Sequence, residues 1–172
     1  MKNNFEICLK EVLKHEGGFV NHESDKGGAT NLGVTQVVWE EWCGRKVSAD
    51  DMKNLTIEDV KPLYMNRYWD ATKCDDLPSG VDYCVFDTAI NSGRVRAAKF
   101  LQSVVGAVPD GVIGSVTIAS TDLRGARLTI NQYCDKREAF LRDLSNFNVF
   151  GKGWVKRVNE VRAKALEMAN GR

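Results

Sequence analysis

The 172-residue sequence predicts a mainly α fold with one small β-hairpin near its N-terminus. Three observations carry that expectation. Apolar residues recur at steps of three and four through most of the chain, the spacing of one helix face. One early stretch, HEGGFVNHESDKGGATNLGVT at residues 15–35, breaks that spacing and is rich in glycine and short polar residues. The apolar fraction of 43% and charged fraction of 27% suit a globular chain long enough to bury a core without metals or cross-links.

The elements follow in order. Phe5, Cys8, Leu9, Val12 and Leu13 predict a helix over 4–15, which Gly17 and Gly18 stop. From Gly18 to Val34 the composition suits two short strands, with the bend at Gly27-Gly28. Thr35 reads as the cap of a helix through Val38, Trp39 and Trp42 that ends at Gly44. Thr56 caps the next, IEDVKPLYMNRYW, with Pro62 in its opening turns. LPSG at 77–80 is a loop; 81–92 reads as a buried helix and 94–105 as another. GAVPDGVIG at 106–114 is a tight-turn segment, in which Leu101 before it and Ile113 within it fit a core. Helices are expected at about 125–144 and 152–169, the last with Trp154, Val158, Val161, Ala165 and Met168 on its core stripe.

Several function classes are disfavoured. A net charge of +1 does not suit a nucleic-acid binder. Five cysteines without a CxxC spacing argue against a disulfide framework or a cysteine-rich zinc site, and reduced thiols are the simpler expectation. His15 and His22 are the only histidines, too few for most zinc sites, so no metal and no cofactor is expected. MKNNFEICLKEVLKHEGG reads as neither a secretory signal nor a membrane span.

The chemistry-bearing set lies in the glycine-rich stretch. Cleavage of a glycosidic bond requires a carboxylic acid that protonates the leaving oxygen. Glu16 falls at a helix C-terminus beside two glycines, where a bulky polymer can approach and where the helix dipole favours a protonated carboxyl. Asp25 follows after eight residues and suits a second carboxylate that holds a water or stabilises positive charge on the sugar. Thr30 follows after four more, and its hydroxyl suits orientation of that water. The plainer reading makes Glu16 a solvated helix-end residue and Asp25 a turn former; spacing alone leaves both open.

The stretch closely resembles the N-terminal signature of glycoside hydrolase family 108, the N-acetylmuramidases of phage endolysins and bacterial secretion-activator proteins. The resemblance continues through YWD at 68–70, LPSGVDYCVFDTAINSG at 77–93 and LQSVVGAVPDGVIGSVT at 101–117. It implies a lysozyme-like fold and makes Glu16 the catalytic acid. Glu-x8-Asp-x4-Thr is also similar to the arrangement of phage-type lysozymes, whose last spacer is usually one residue longer. Phe19 stands where the family often has Tyr, which keeps stacking and removes a hydroxyl.

Under the resemblance, Asp87 and Asn91, four apart on one helix face, are expected to line the cleft and hydrogen-bond sugar hydroxyls or N-acetyl groups. Without it they read as a solvent face. Tyr68 and Trp69 are a candidate stacking platform, one of the two being expected in the cleft and the plainer reading being core. PDGVIG, 109–114, resembles the turn of small peptidoglycan-binding helical modules, with its glycines serving backbone geometry. Lys152, Lys156, Arg157, Arg162, Lys164 and Arg172 read as a solvated face of the last helix, with contact to anionic lipid or wall polymer as the alternative.

The resemblance thus implies one lysozyme-like domain over 1–172, with a catalytic part at 1–93 and a helical part at 94–172 that resembles a peptidoglycan-binding module. It implies a monomeric endolysin that hydrolyses the β-1,4 bond between N-acetylmuramic acid and N-acetylglucosamine. Its partner would be the peptidoglycan glycan strand, with no nucleic acid and no stable membrane insertion. A phage enzyme would stay in the host cytoplasm until released through a holin and then act on the wall in the periplasm. The alternative is a non-lytic peptidoglycan-binding or secretion-activating protein.

Overall fold

A computed structural model describes residues 4–21 and 27–171. The chain is mainly helical with one antiparallel hairpin, as the sequence predicts. In order it forms α1 (Asn4–His15), β1 (Thr30–Asn31), β2 (Val34–Thr35), α2 (Gln36–Cys43), α3 (Ala49–Lys53) and α4 (Ile57–Tyr64). A π-helical turn over Met65–Trp69 and two short 3-10 turns then lead into α5 (Val81–Ser92) and α6 (Arg94–Val105). The chain ends with α7 (Ser115–Arg124), α8 (Ala126–Arg142) and α9 (Phe147–Asn170). It divides into two compact units, one of residues 9–67 and one of residues 4–8 and 68–171.

The 9–67 unit is built by its caps. The Thr35 hydroxyl accepts from the Val38 amide at 3.4 Å, and Gly44 closes α2. Ser48 with Asp51 and Thr56 with Asp59 form reciprocal capping boxes that start α3 and α4. The Asn31 amide donates to the carbonyls of Met52 (2.9 Å) and Lys53 (3.2 Å) and so ties β1 to α3. Leu9, Val12, Val34, Met52, Val60 and Leu63 form its core.

The hairpin bends at a different place from the one expected. Asn31 pairs with Val34, so the turn is Leu32-Gly33 and not Gly27-Gly28. Both turn residues have positive φ, 49° and 73°, the type I′ pattern that matches the twist of short strands. Val20 also pairs with Thr30, with N–O distances of 2.8 and 2.7 Å, so the chain after Gly18 runs back beside β1.

The other unit is organised around α5, buried on every face from Val81 to Ala89 and packed against α6, α8 and α9. Its polar members Asp82, Asp87 and Thr88 are buried along with the apolar ones. Phe5, Trp69 and Phe86 meet edge to face with ring centroids 5.3–5.8 Å apart. The Asn4 amide donates to Ser79 Oγ (2.9 Å) and Asp82 Oδ2 (2.7 Å), which fastens the start of α1 to that of α5. Leu101 and Ile113 are buried, and the buried Gln102 side chain holds the 110–112 turn through Asp110, Gly111 and Val112.

Two helices were not expected. α3 is a single turn with too few apolar positions to show a period. α7 leaves Val116 70% and Leu123 91% exposed, so its outer face hides the helical pattern. The last helix begins at Phe147 rather than 152, because Gly151 serves packing within it. A Cβ there would lie 2.7 Å from the Phe147 ring, so the glycine lets the ring lie against the backbone. Among the described residues, no helix is long and apolar enough to cross a membrane.

Candidate active site

Glu16 is the first residue beyond α1, and its amide still reaches back to the Val12 carbonyl at 3.3 Å. The glycines that follow are exposed, and Glu16 itself is half-buried. Its side chain lies against the hairpin turn. The position a Cβ would occupy on Gly33 is 2.9 Å from Glu16 Cγ and 3.1 Å from Oε2. The Tyr64 phenol oxygen is 2.6 Å from the same point, and the phenol donates to the Leu32 carbonyl at 2.8 Å. The acid, the turn and a buried tyrosine therefore converge in the 9–67 unit.

Thr30 belongs to the same unit. It is half-buried in β1, where its backbone pairs with Val20 and Thr35. Asp25 lies outside the described residues, as does His22. Among the described residues, no three His, Cys, Asp or Glu side chains are grouped so as to hold a metal ion. Sequence reasoning missed Leu32, Gly33 and Tyr64. The glycine was visible, but nothing in its spacing said that it touches Glu16. Tyr64 sits on the apolar face of its helix, where only the hydroxyl distinguishes it from ordinary core.

The other candidates lie in the second unit, and two need correction. Trp69 is fully buried between Phe5 and Phe86, and its indole N–H donates to Asp75 Oδ1 at 3.1 Å. It is a core residue that presents no face to a sugar. Tyr68, its neighbour, is half-buried and remains the stacking candidate of the two.

Asp87 is also fully buried and does not line a cleft. Arg137 Nη1 of α8 lies 2.6 Å from Oδ2, and Arg157 of α9 reaches Oδ1 through Nη2 at 2.8 Å and Nε at 3.1 Å. Burial alone would push the carboxyl pKa up; the two guanidinium groups outweigh it and hold the group below the usual carboxylate range. Asp87 joins three helices and has no free acceptor directed at a substrate. Asn91, one turn on, is exposed, and its Oδ1 accepts weakly from Arg137 at 3.4 Å. The basic residues of α9 are largely paired: Arg157 with Asp87, Arg162 with Asp135 and Lys164 with Glu167. Arg172 lies outside the described residues.

The family model for glycosyl hydrolase 108 matches residues 9–93. A solved structure titled "Structure of Brucella abortus SagA" is 45% identical in sequence, with a TM-score of 0.87 over 99% of this chain and 98% of that one. The chain belongs to glycosyl hydrolase family 108. No curated protein matches it. The matched segment spans the whole 9–67 unit, with Glu16 and its turn, and runs on through α5. Glycosidic bond hydrolysis is thus the chemistry of the family, and Glu16 is a carboxyl within the matched segment, set between exposed glycines and a strained turn.

Proposed function

We propose that the chain is an N-acetylmuramidase. It hydrolyses the β-1,4 bond between N-acetylmuramic acid and N-acetylglucosamine in peptidoglycan. The observation that carries this reading is the placement of Glu16. A half-buried carboxyl lies at the end of α1 beside exposed Gly17 and Gly18 and against exposed Gly33, residues without side chains that leave room for a bulky polymer.

Glu16 delivers its proton to the glycosidic oxygen as the bond to the anomeric carbon breaks. Positive charge then develops on the sugar, and Asp25 is the candidate to stabilise it or to activate water. Thr30 is the candidate to orient that water. Tyr68 offers an aromatic face to the C–H side of a pyranose ring, and Asn91 offers an exposed amide to hydroxyl or N-acetyl groups. Trp69 and Asp87 lie in the core of their own unit and touch no substrate. None of these steps draws on a metal or a nucleotide.

Digestion of purified sacculi tests the reading. New reducing muramic-acid termini are expected. New free amines would identify an amidase or peptidase instead. A second reading, a wall-binding or secretion-activating protein without lytic activity, is supported by the full-length likeness to a bacterial protein. It predicts binding to sacculi with no new termini of either kind. As a phage endolysin, the enzyme would reach the wall from the host cytoplasm when a holin opens the membrane. Lysis of cells only upon co-expression with a holin is the outcome expected there.

A further inference from the structure

We propose that Tyr64 is a positioning residue for the acid: its hydroxyl pins the Leu32-Gly33 turn, and the turn fixes the carboxyl of Glu16. The inference rests on the reading of Glu16 as the proton donor.

The argument begins with strain. Leu32 has φ 49°, a region leucine rarely enters; among the described residues only Lys73 shares this property outside glycine. A conformation of this kind persists when its surroundings over-determine it. One strong contact is on hand. The Tyr64 phenol donates to the Leu32 carbonyl at 2.8 Å, across 32 residues of sequence, from a ring that is 1% exposed. A buried tyrosine whose oxygen serves no purpose would be replaceable by phenylalanine, but this oxygen meets the strained residue directly.

The second step concerns what the turn touches. Gly33, at φ 73°, has no room for a methyl group, because the same point is claimed by the Tyr64 oxygen, Glu16 Cγ and Glu16 Oε2 at 2.6, 2.9 and 3.1 Å. The bare Cα of Gly33 therefore leaves the space in which the tyrosine oxygen and the acid side chain both lie against the turn. A shift of the turn moves the surface on which the carboxyl rests. Tyr64 is the last residue of α4, and the π turn over Met65–Trp69 follows at once. Such turns frequently occur at functional sites.

The experiment compares full-length Tyr64→Phe, Gly33→Ala and Glu16→Gln on purified sacculi, with melting temperatures and kcat and apparent KM measured separately. Displacement of a catalytic group by about an ångström reduces rates by roughly 10–100-fold, which is the expected fall in kcat for Tyr64→Phe. Apparent KM and sacculus binding are expected to stay near wild type. Gly33→Ala enters the same point from the turn side and is expected to lower kcat at least as far. Combining the two should cost less than the product of the single losses, since both act on one contact. A wild-type kcat in folded Tyr64→Phe, with Glu16→Gln inactive, overturns the positioning role and leaves the acid in place. So does a loss that appears only in KM, or only in proportion to a lowered melting temperature. Should Tyr64→Phe fail to fold, Gly33→Ala with unchanged kcat overturns the role by itself. Full activity in Glu16→Gln removes the parent reading instead.

Discussion

Glu16 and Asp87 are both acidic residues, one just past the end of α1 and one in the middle of α5, and their surroundings are opposite. Asp87 is sealed in the larger unit and met by two arginines from two other helices. Glu16 is half-buried on a bend, against a glycine in a turn of positive φ. A carboxylate held by two guanidinium groups is committed to its charge and has no proton to give. One that rests on an exposed glycine keeps access to solvent and to a polymer. The pair shows that a partly exposed carboxyl and one sealed in a core are told apart by what covers the side chain, not by helix-face spacing.

The largest effect that would break the comparison is on stability. Asp87→Asn leaves the buried Arg137 and the half-buried Arg157 guanidinium groups facing a neutral amide, and loss of one partner of a buried ion pair costs about 3–5 kcal/mol. Urea denaturation at neutral pH measures it. A loss below about 1 kcal/mol, the range of an exposed pair, would show that the cluster is not what joins α5 to α8 and α9.

The same cluster sets an acid limb. The folded Asp87 pKa lies below its unfolded value, so the unfolded state binds the proton more readily. The stabilisation is complete above the ordinary aspartate value of about 4 and disappears as pH falls through the folded value. Melting temperatures from pH 7 downwards should fall less steeply for Asp87→Asn than for wild type. Parallel slopes would contradict the assignment.

A smaller contrast sharpens it through adjacent aromatics. Trp69→Phe removes the indole hydrogen bond to Asp75 and part of the ring packing, a stability loss of about 1–3 kcal/mol with apparent KM unchanged. Tyr68→Ala should do the reverse and raise apparent KM by roughly 5–10-fold, the scale of one aromatic stacking contact of about 1 kcal/mol. If Trp69→Phe raises KM and Tyr68→Ala does not, the roles of the two neighbours are exchanged.

Much of the fold was legible because its signals are local. Thr35, Thr56, Gly17 and Gly44 mark helix ends through their own chemistry, and α5 shows its burial by spreading Val81, Tyr83, Val85, Phe86 and Ala89 over more than one face. α3 and α7 were not legible, one being too short and the other too exposed to show a period. The hairpin turn was misplaced because Leu32-Gly33 lacks the Asn-Gly signal of a two-residue turn, whereas Gly27-Gly28 carries a glycine pair. Glu16 was singled out by the glycines beside a helix end, and its role as an acid came from the family resemblance. Asp87 and Trp69 were misread because their partners, Arg137, Arg157 and Phe5, lie far away in sequence. Tyr64 was missed because a buried tyrosine and a buried phenylalanine leave the same apolar pattern.

The most direct test of proton donation from the small unit is release of new reducing ends from purified sacculi by Glu16→Gln, in protein whose melting temperature matches wild type. General acid catalysis contributes about 10²–10⁴-fold, so the account predicts release reduced by that factor with sacculus binding intact. Release at the wild-type rate would contradict it.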